Sequence, residues 1–589
     1  MKRLLSRQFM RKPLILSGIL VSAFCQPIAQ ASAETLLPSQ TVQELIVAQH
    51  EKSFDSFNKF LKSVQKSELA KSNPELKKTL SLYRRGKALS EEQSHEIQRL
   101  LGVYTRIKYG KQAVETLAEL VAIPTFRDSR YEQHDNPNFH QLAAHIEKLA
   151  TDFGLAFKNV DDRVYEITLP GASDELVGIH AHGDVVPVNP DNWILDDGTK
   201  LDPFKLTKIG DRMYGRGAED DKNGIVVTLY AMKVIQEEGI KLNRTFRLLV
   251  DTTEETSSTA IPYYFERHPT PDYNLALDGG YPVVIAEKGY GTVMASFPAR
   301  TATGKGMEVI KVTGGLATNQ IPRESIATIL ADDLLATREL LNQQAQVFVK
   351  EYGSNFSIDV DIVNDQILLK VKGVSAHSSD PGSGVNPVSR MMLLLNRLNG
   401  QLPVKQNHII DAAEYAASNW GLNYLGGKLN IGFSDEFMGP LTTSLTYVSV
   451  DDAEMKIATN LRVPVGKKPD YLKAEILEKV GQWQETTKKP MNLDISIAEP
   501  MYRNPQGRWV NALLDVATEN LNLPREFSSS AGATSVHYLP NGVQFGLAEP
   551  GTKYTGHNAN EFKTDYQFLL DLQVVTEMMM RVGQLEQLN

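Results

Sequence analysis

Beyond residue 106, short apolar runs alternate with longer stretches of helical periodicity, and that alternation predicts an α/β fold around a mostly parallel sheet. Glu175–His180 carries Leu176, Val177 and Ile179 and reads as a buried strand. Ile225–Ile235 follows a glycine-rich loop and reads as a helix, and Phe246–Val250 and Asn274–Leu277 are two more short strands. Before residue 106 the pattern is purely helical. Phe54, Phe57, Leu61 and Val64 recur at helical spacing on one apolar face. Asn73-Pro74 reads as a cap followed by a first-turn proline, and Ser90-Glu91-Glu92-Gln93 as a capping box. Residues 34–105 are therefore expected to form a helical extension with a packing role.

The first 33 residues have another character. Lys2, Arg3, Arg7, Arg11 and Lys12 precede an uncharged run from Leu14 to Cys25, and Ala31-Ser32-Ala33 follows as a small-residue cleavage signal. These are the three parts of a secretory signal peptide, with an apolar run too short to span a bilayer comfortably. Cleavage after Ala33 removes five positive charges and no negative ones, taking the net charge from −9 to −14. It also removes Cys25, the one cysteine of the chain. The expected product is a periplasmic or secreted bacterial protein with no thiol and no stable membrane span.

Composition narrows the function. At 589 residues, with 42% hydrophobic and 23% charged positions, the chain is long enough for about two to four globular domains and is not fibrous or disordered. An acidic balance of 62 Lys+Arg against 71 Asp+Glu, without basic runs, argues against a nucleic-acid partner. Neither a G-x-x-x-x-G-K-[ST] phosphate loop nor a G-x-S-x-G nucleophile elbow occurs.

The chemistry gathers at the predicted strand ends. The first strand runs into His180-Ala181-His182-Gly183-Asp184, where strand periodicity places His180, His182 and Asp184 on one side. A histidine beside a carboxylate suits a metal ligand and the partner that fixes its tautomer. Tyr214-Gly215-Arg216-Gly217-Ala218-Glu219-Asp220-Asp221-Lys222 delivers carboxylates on a tight loop, and Asp251-Thr252-Thr253-Glu254-Glu255-Thr256 ends the third strand. Adjacent carboxylates suit one metal ligand and one general base. Asp278-Gly279-Gly280 ends the fourth strand, and Gly556-His557-Asn558 lies far downstream. In an open parallel sheet the C-terminal strand ends share one crevice, so these separate signals converge on one candidate site. Imidazole and carboxylate donors without thiols suit zinc, manganese or cobalt.

With these motifs, and with Val374-Ser375-Ala376-His377-Ser378, Gly314-Gly315-Leu316-Ala317-Thr318-Asn319-Gln320-Ile321-Pro322 and Ser530-Ala531-Gly532-Ala533-Thr534, residues 106–585 resemble a known family. It is that of the dinuclear metallopeptidases of aminoacylase, carboxypeptidase G and carnosinase type, nearest to bacterial dipeptidases of the PepV type. The resemblance implies two divalent metal ions, zinc first, with manganese or cobalt as alternatives. It implies His182 and Asp278 on one metal, Glu255 and His557 on the other, and Asp220 bridging, followed by a cis peptide. Asp184 is then expected to orient His182, and Glu254 to act as general base on a water activated by the metals. His377 is expected to stabilise the developing oxyanion from a lid, with Asn319 nearby. Arg462 is expected to clamp the substrate's terminal carboxylate, with Gly532 and Thr534 close to it.

The implied organisation is a catalytic domain over 106–292 and 498–589, interrupted by an α+β lid over 293–497, in a monomer acting on short peptides. Thr253, Ser257, Asn223 and Ala533 depart from the family pattern without touching the ligand set, so they bear on substrate preference. Two other readings remain at this point. One is an N-acyl amino acid deacylase or glutamate-type carboxypeptidase; the other is a non-catalytic periplasmic peptide-binding protein, for which Glu254 would have no use.

Overall fold

In the computed structural model, which describes residues 37–588, the central parallel strands lie side by side with their C-terminal ends on one edge of the sheet. The signal-peptide segment lies outside the described residues. Among the described residues no helix is long and apolar enough to cross a membrane.

The first sheet runs, from one edge, through Ala156–Val160, Val164–Leu169, Thr245–Asp251, Leu176–His182, Tyr273–Ala276, Val543–Gln544, Val284–Glu287 and Met501–Tyr502. Its centre is parallel, as expected: Leu176–His182 pairs in parallel with both Thr245–Asp251 and Tyr273–Ala276. The flanks are largely antiparallel, because Ala156–Val160 and Val164–Leu169 form a hairpin and Val284–Glu287 runs against Val543–Gln544 and Met501–Tyr502, though parallel to Ser528–Ser530. The sheet is therefore mixed. The central strands are largely apolar because helices cover both faces, which is why they read as short apolar runs rather than as alternation.

The helix Lys222–Glu237 buries residues on all sides against this sheet. The helix Asp565–Gln584, likewise largely buried, packs against it and against Glu91–Val121. Glu91–Val121 is one helix of 31 residues that passes without a break through position 105/106. Gly102, inside it, does not interrupt it. It lies so close to the helix Asp565–Gln584 that a Cβ there would meet the Gln573 carbonyl oxygen at 2.5 Å. The N-terminal helices are capped as the sequence indicates. Asn73 accepts the N–H of Leu76 ahead of Pro74, and Ser90 and Gln93 close a capping box. Their apolar faces, including Phe57, Phe60, Leu61 and Val64, join the same continuous core as the first sheet. Phe54 precedes the helix Phe57–Gln65 and packs edge-on to Phe60 from outside it.

A second, fully antiparallel sheet of eight strands takes its strands from Gly289–Pro298 through Asn492–Ile497. Pro387–Gln401 and His408–Asn419 pack on it, and it has its own hydrophobic core. The chain passes from the first sheet to the second at Lys288, between Val284–Glu287 and Gly289–Pro298.

Candidate metal centre

The strand Leu176–His182 extends two residues beyond the expected end, and its last residue pairs with Asp251. His182 is thereby placed at the mouth of the crevice, buried to 2% exposure. Its Nε2 lies 2.8 Å from Asp220 Oδ1 and 4.0 Å from Asp278 Oδ2. Asp220 Oδ2 lies 3.0 Å from His557 Nε2, which in turn lies 2.8 Å from Glu255 Oε1. The five residues singled out as ligands, each from a separate segment, thus converge around Asp220. The peptide Asp220-Asp221 is cis.

The donor set fits divalent cations. Nitrogen and oxygen ligands about 2.0–2.2 Å from a shared ion stand about 3–3.5 Å apart, and the distances here bracket that. Glu255 Oε1 faces His557 Nε2 without the alignment of a hydrogen bond, as two donors aimed at a common point do. The groups His182, Glu254, Asp278 and His182, Asp220, Glu255 each bring their ligand atoms within 4.8 Å of one another. The carboxylates also outnumber the imidazoles. Burial and then the charge of Asp220 push Asp278 up to about 7. Burial, then Asp278, Glu255 and Asp184 push Glu254 well above the usual carboxylate range, against the pull of His182. Burial opposes ionisation of Asp220, but the hydrogen bonds of His182 and His557 outweigh it and hold it well below that range.

Asp184 differs in detail from expectation. The Nδ1 of His182 meets the backbone carbonyl of Asp184 at 2.9 Å, and its carboxylate stands 3.6 Å away. That carboxylate instead accepts the backbone N–H groups of Glu254 at 3.2 Å and Glu255 at 3.0 Å. The two residues are only two apart where the strand ends, so the main chain reaches the imidazole first. The carboxylate is left to hold the turn that presents the glutamate pair. His180, next to the ligand, contacts Asn274 Oδ1 at 3.0 Å, buried inside the sheet.

In a separate two-stranded ribbon, Gln320–Ile321 against Ala376–His377, His377 pairs in register with Gln320, directly after Asn319, whose carbonyl accepts the N–H of Ser378. His377 Nδ1 accepts the N–H of Ser379 at 3.2 Å, which leaves the proton on Nε2. Burial and the charges of Arg462 and His557 lower its pKa to about 4, so the ring is neutral. Arg462 donates to Asn460 Oδ1, Ser378 Oγ and the carbonyl of Ala531, and has no carboxylate partner among the described residues. Gly532 donates its N–H to Ser530 Oγ, whereas Thr534 directs both its N–H and its hydroxyl to Glu287.

Three supporting residues were not singled out in the sequence. Tyr554 donates its hydroxyl to Asp220 Oδ2 at 2.6 Å. Glu561, fully buried, accepts the N–H groups of Gly217, Glu219 and Asp220 and pairs with Arg216 at 2.5 Å. Glu219 accepts from Thr555. Together they fasten the Asp220 loop to the His557 loop, and the signal was present as the pairing of an acidic loop with the stretch Tyr554–Glu561.

The chain is 29% identical to the Beta-Ala-Xaa dipeptidase of Lactobacillus delbrueckii subsp. lactis over 422 residues, covering 71% of this chain and 84% of that protein. Among solved structures, the dipeptidase Dug1p of Saccharomyces cerevisiae aligns with a TM-score of 0.49 at 11% identity, over 84% of this chain and 100% of that one. Human carnosine dipeptidase 1 aligns with a TM-score of 0.48 at 12% identity, over 83% and 99%. Residues 178–581 match the model of peptidase family M20/M25/M40, and the chain belongs to that family of dinuclear metallopeptidases.

Proposed function

We propose that this metallopeptidase is an exported dipeptidase, cleaving dipeptides and other short peptides in the periplasm or outside the cell. The observation that carries the reading is the convergence of His182, Asp220, Glu255, Asp278 and His557 in one cleft beside Glu254. His182 and Asp278 would hold one cation and Glu255 and His557 the other, with Asp220 shared between them; zinc suits these donors, with manganese or cobalt as alternatives. When bound, such ions lower the pKa of a water and polarise a carbonyl.

The chain's own residues supply the rest. Glu254 removes a proton from the attacking water and delivers it to the leaving amine, the ordinary work of a buried carboxylate of raised pKa. Asp184 keeps it in place through two backbone hydrogen bonds. Negative charge grows on the carbonyl oxygen, and the neutral His377, with its proton on Nε2, donates to it. Asn319 and Gly532 line the approach. Arg462, buried and without an acidic partner among the described residues, receives the terminal carboxylate through a planar fork that lysine lacks.

The organisation that goes with this reading is a catalytic domain interrupted by a lid that begins after Lys288 and ends near residue 497, in a monomer. The likeness in name of the Beta-Ala-Xaa dipeptidase supports a dipeptide substrate. A panel of dipeptides and N-acyl amino acids, assayed with metal and with chelator, tests it. Chelator-sensitive cleavage of the dipeptides is expected, and cleavage of N-acyl amino acids alone would replace the reading with a deacylase.

A further inference from the structure

Lys288 stands at the crossing between the two sheets, and Arg462 lies on the strand Glu454–Val463 that pairs with Gly289–Pro298. The register sets Tyr290 opposite Arg462. Side chains two apart on extended backbone leave the same face, so Lys288 shares the face of Arg462 and Glu287 points away. The contacts agree. Glu287 is spent on His537 Nδ1, Thr534 and Gln544, while Lys288 Nζ donates to the carbonyl of Pro440 at 2.6 Å.

Both cations are buried, Lys288 to 5% and Arg462 to 6% exposure. Every acceptor they meet is neutral, and neither has a carboxylate partner among the described residues. Burial, and then the charge of Arg462, hold the Lys288 amine below its ordinary range. A buried charge without a counter-charge is costly, and two of one sign side by side are more so. Such a pair is accounted for by an anion that arrives with the substrate.

One terminal carboxylate answers only one of them. Arg462 Nη2 donates to Ser378 Oγ, the neighbour of His377, and Arg462 stands opposite Tyr290, two residues from Lys288 on the same face. Arg462 therefore links His377 on one side to Lys288 on the other. A peptide with its scissile carbonyl at His377 and its terminal carboxylate at Arg462 brings its last side chain towards Lys288. We infer that Lys288 binds a second carboxylate, so that the preferred substrates are dipeptides ending in Asp or Glu. This deepens the dipeptidase reading and rests on it.

The test compares kcat/KM for Ala-Glu, Ala-Leu and Ala-Lys in the metal-loaded mature protein and in Lys288→Met, Lys288→Arg and Lys288→Glu, with thermal midpoints alongside. A charged hydrogen bond gained in the complex corresponds to a preference for Ala-Glu over Ala-Leu of about tenfold or more. That ratio is expected to fall towards one in Lys288→Met, to persist in Lys288→Arg, and to give way to a preference for Ala-Lys in Lys288→Glu. Equal use of Ala-Glu and Ala-Leu by the unaltered protein overturns the inference, and does so even if the Met variant fails to fold. Persistence of the preference in a folded Lys288→Met or Lys288→Glu protein also overturns it. If no dipeptide is cleaved at all, the dipeptidase reading falls and takes the inference with it, an outcome distinct from unselective cleavage.

Discussion

The carboxylate of Asp184 accepts the backbone N–H of Glu255 at 3.0 Å, and that of Glu254 at 3.2 Å with its other oxygen. One side chain thus sets the position of both glutamates while its own main chain orients His182. Asp184→Asn keeps the size but offers a single acceptor oxygen, and its amide would face one of the two N–H groups. A fall in kcat of about 10–100-fold is expected, the range found when partners of metal ligands are lost. Steady-state kinetics with the metal content measured in the same samples checks it; unchanged kcat would show that the turn holds itself.

Glu561 carries a comparable burden behind the Asp220 loop. It is fully buried, with Arg216 on one oxygen and three backbone N–H groups on the other. Glu561→Ala strands the Arg216 guanidinium and three donors in the interior, and breaking a buried pair from one side costs about 3–5 kcal/mol. Denaturant unfolding of the two proteins measures that difference, and a loss below about 1 kcal/mol would mean that water replaces the carboxylate.

The metal centre is expected to stabilise the fold as well as to act in catalysis. Ligands that bind only the native state add about 2.7 kcal/mol at a hundredfold excess over Kd. Here they would also neutralise carboxylates crowded by Asp220, Asp278 and Glu255. Chelation should lower the thermal midpoint, and zinc or manganese should restore it. Calorimetry with and without chelator decides this, and an unchanged midpoint contradicts it.

Much of this arrangement is legible in the sequence because three of the five ligands follow short apolar runs. His182, Glu255 and Asp278 follow strands, and strand ends in a parallel centre share a crevice. The antiparallel flanks are less visible, since a strand's direction depends on partners far along the chain. The long helix Glu91–Val121 crosses position 105/106 because Gly102, a weak helix former in isolation, is required there by the close approach of Gln573. Tyr554, Glu561 and Lys288 act through contacts with residues more than 150 positions away. Their chemistry is ordinary until the fold supplies the neighbour.

The N-terminal helices belong energetically to the catalytic core. Phe60 is fully buried and packs against Tyr104 of the long helix at 5.6 Å, and Arg99 donates to the carbonyl of Leu37 at 2.9 Å. Phe60→Ala is expected to cost about 3–5 kcal/mol, and deletion of residues 34–90 to lower the thermal midpoint. A deletion variant that melts at the same temperature would make the extension an independent appendage.

The most direct measurement is dipeptide hydrolysis by the metal-loaded mature protein and by Glu254→Ala, with metal content determined in both. Glu254 is not among the five ligands, so its loss removes the proton carrier and leaves the ions in place. The expected result is turnover that falls by about two to four orders of magnitude while the metal content holds. Undiminished turnover in Glu254→Ala, or no dipeptide hydrolysis by the unaltered protein, would contradict the account.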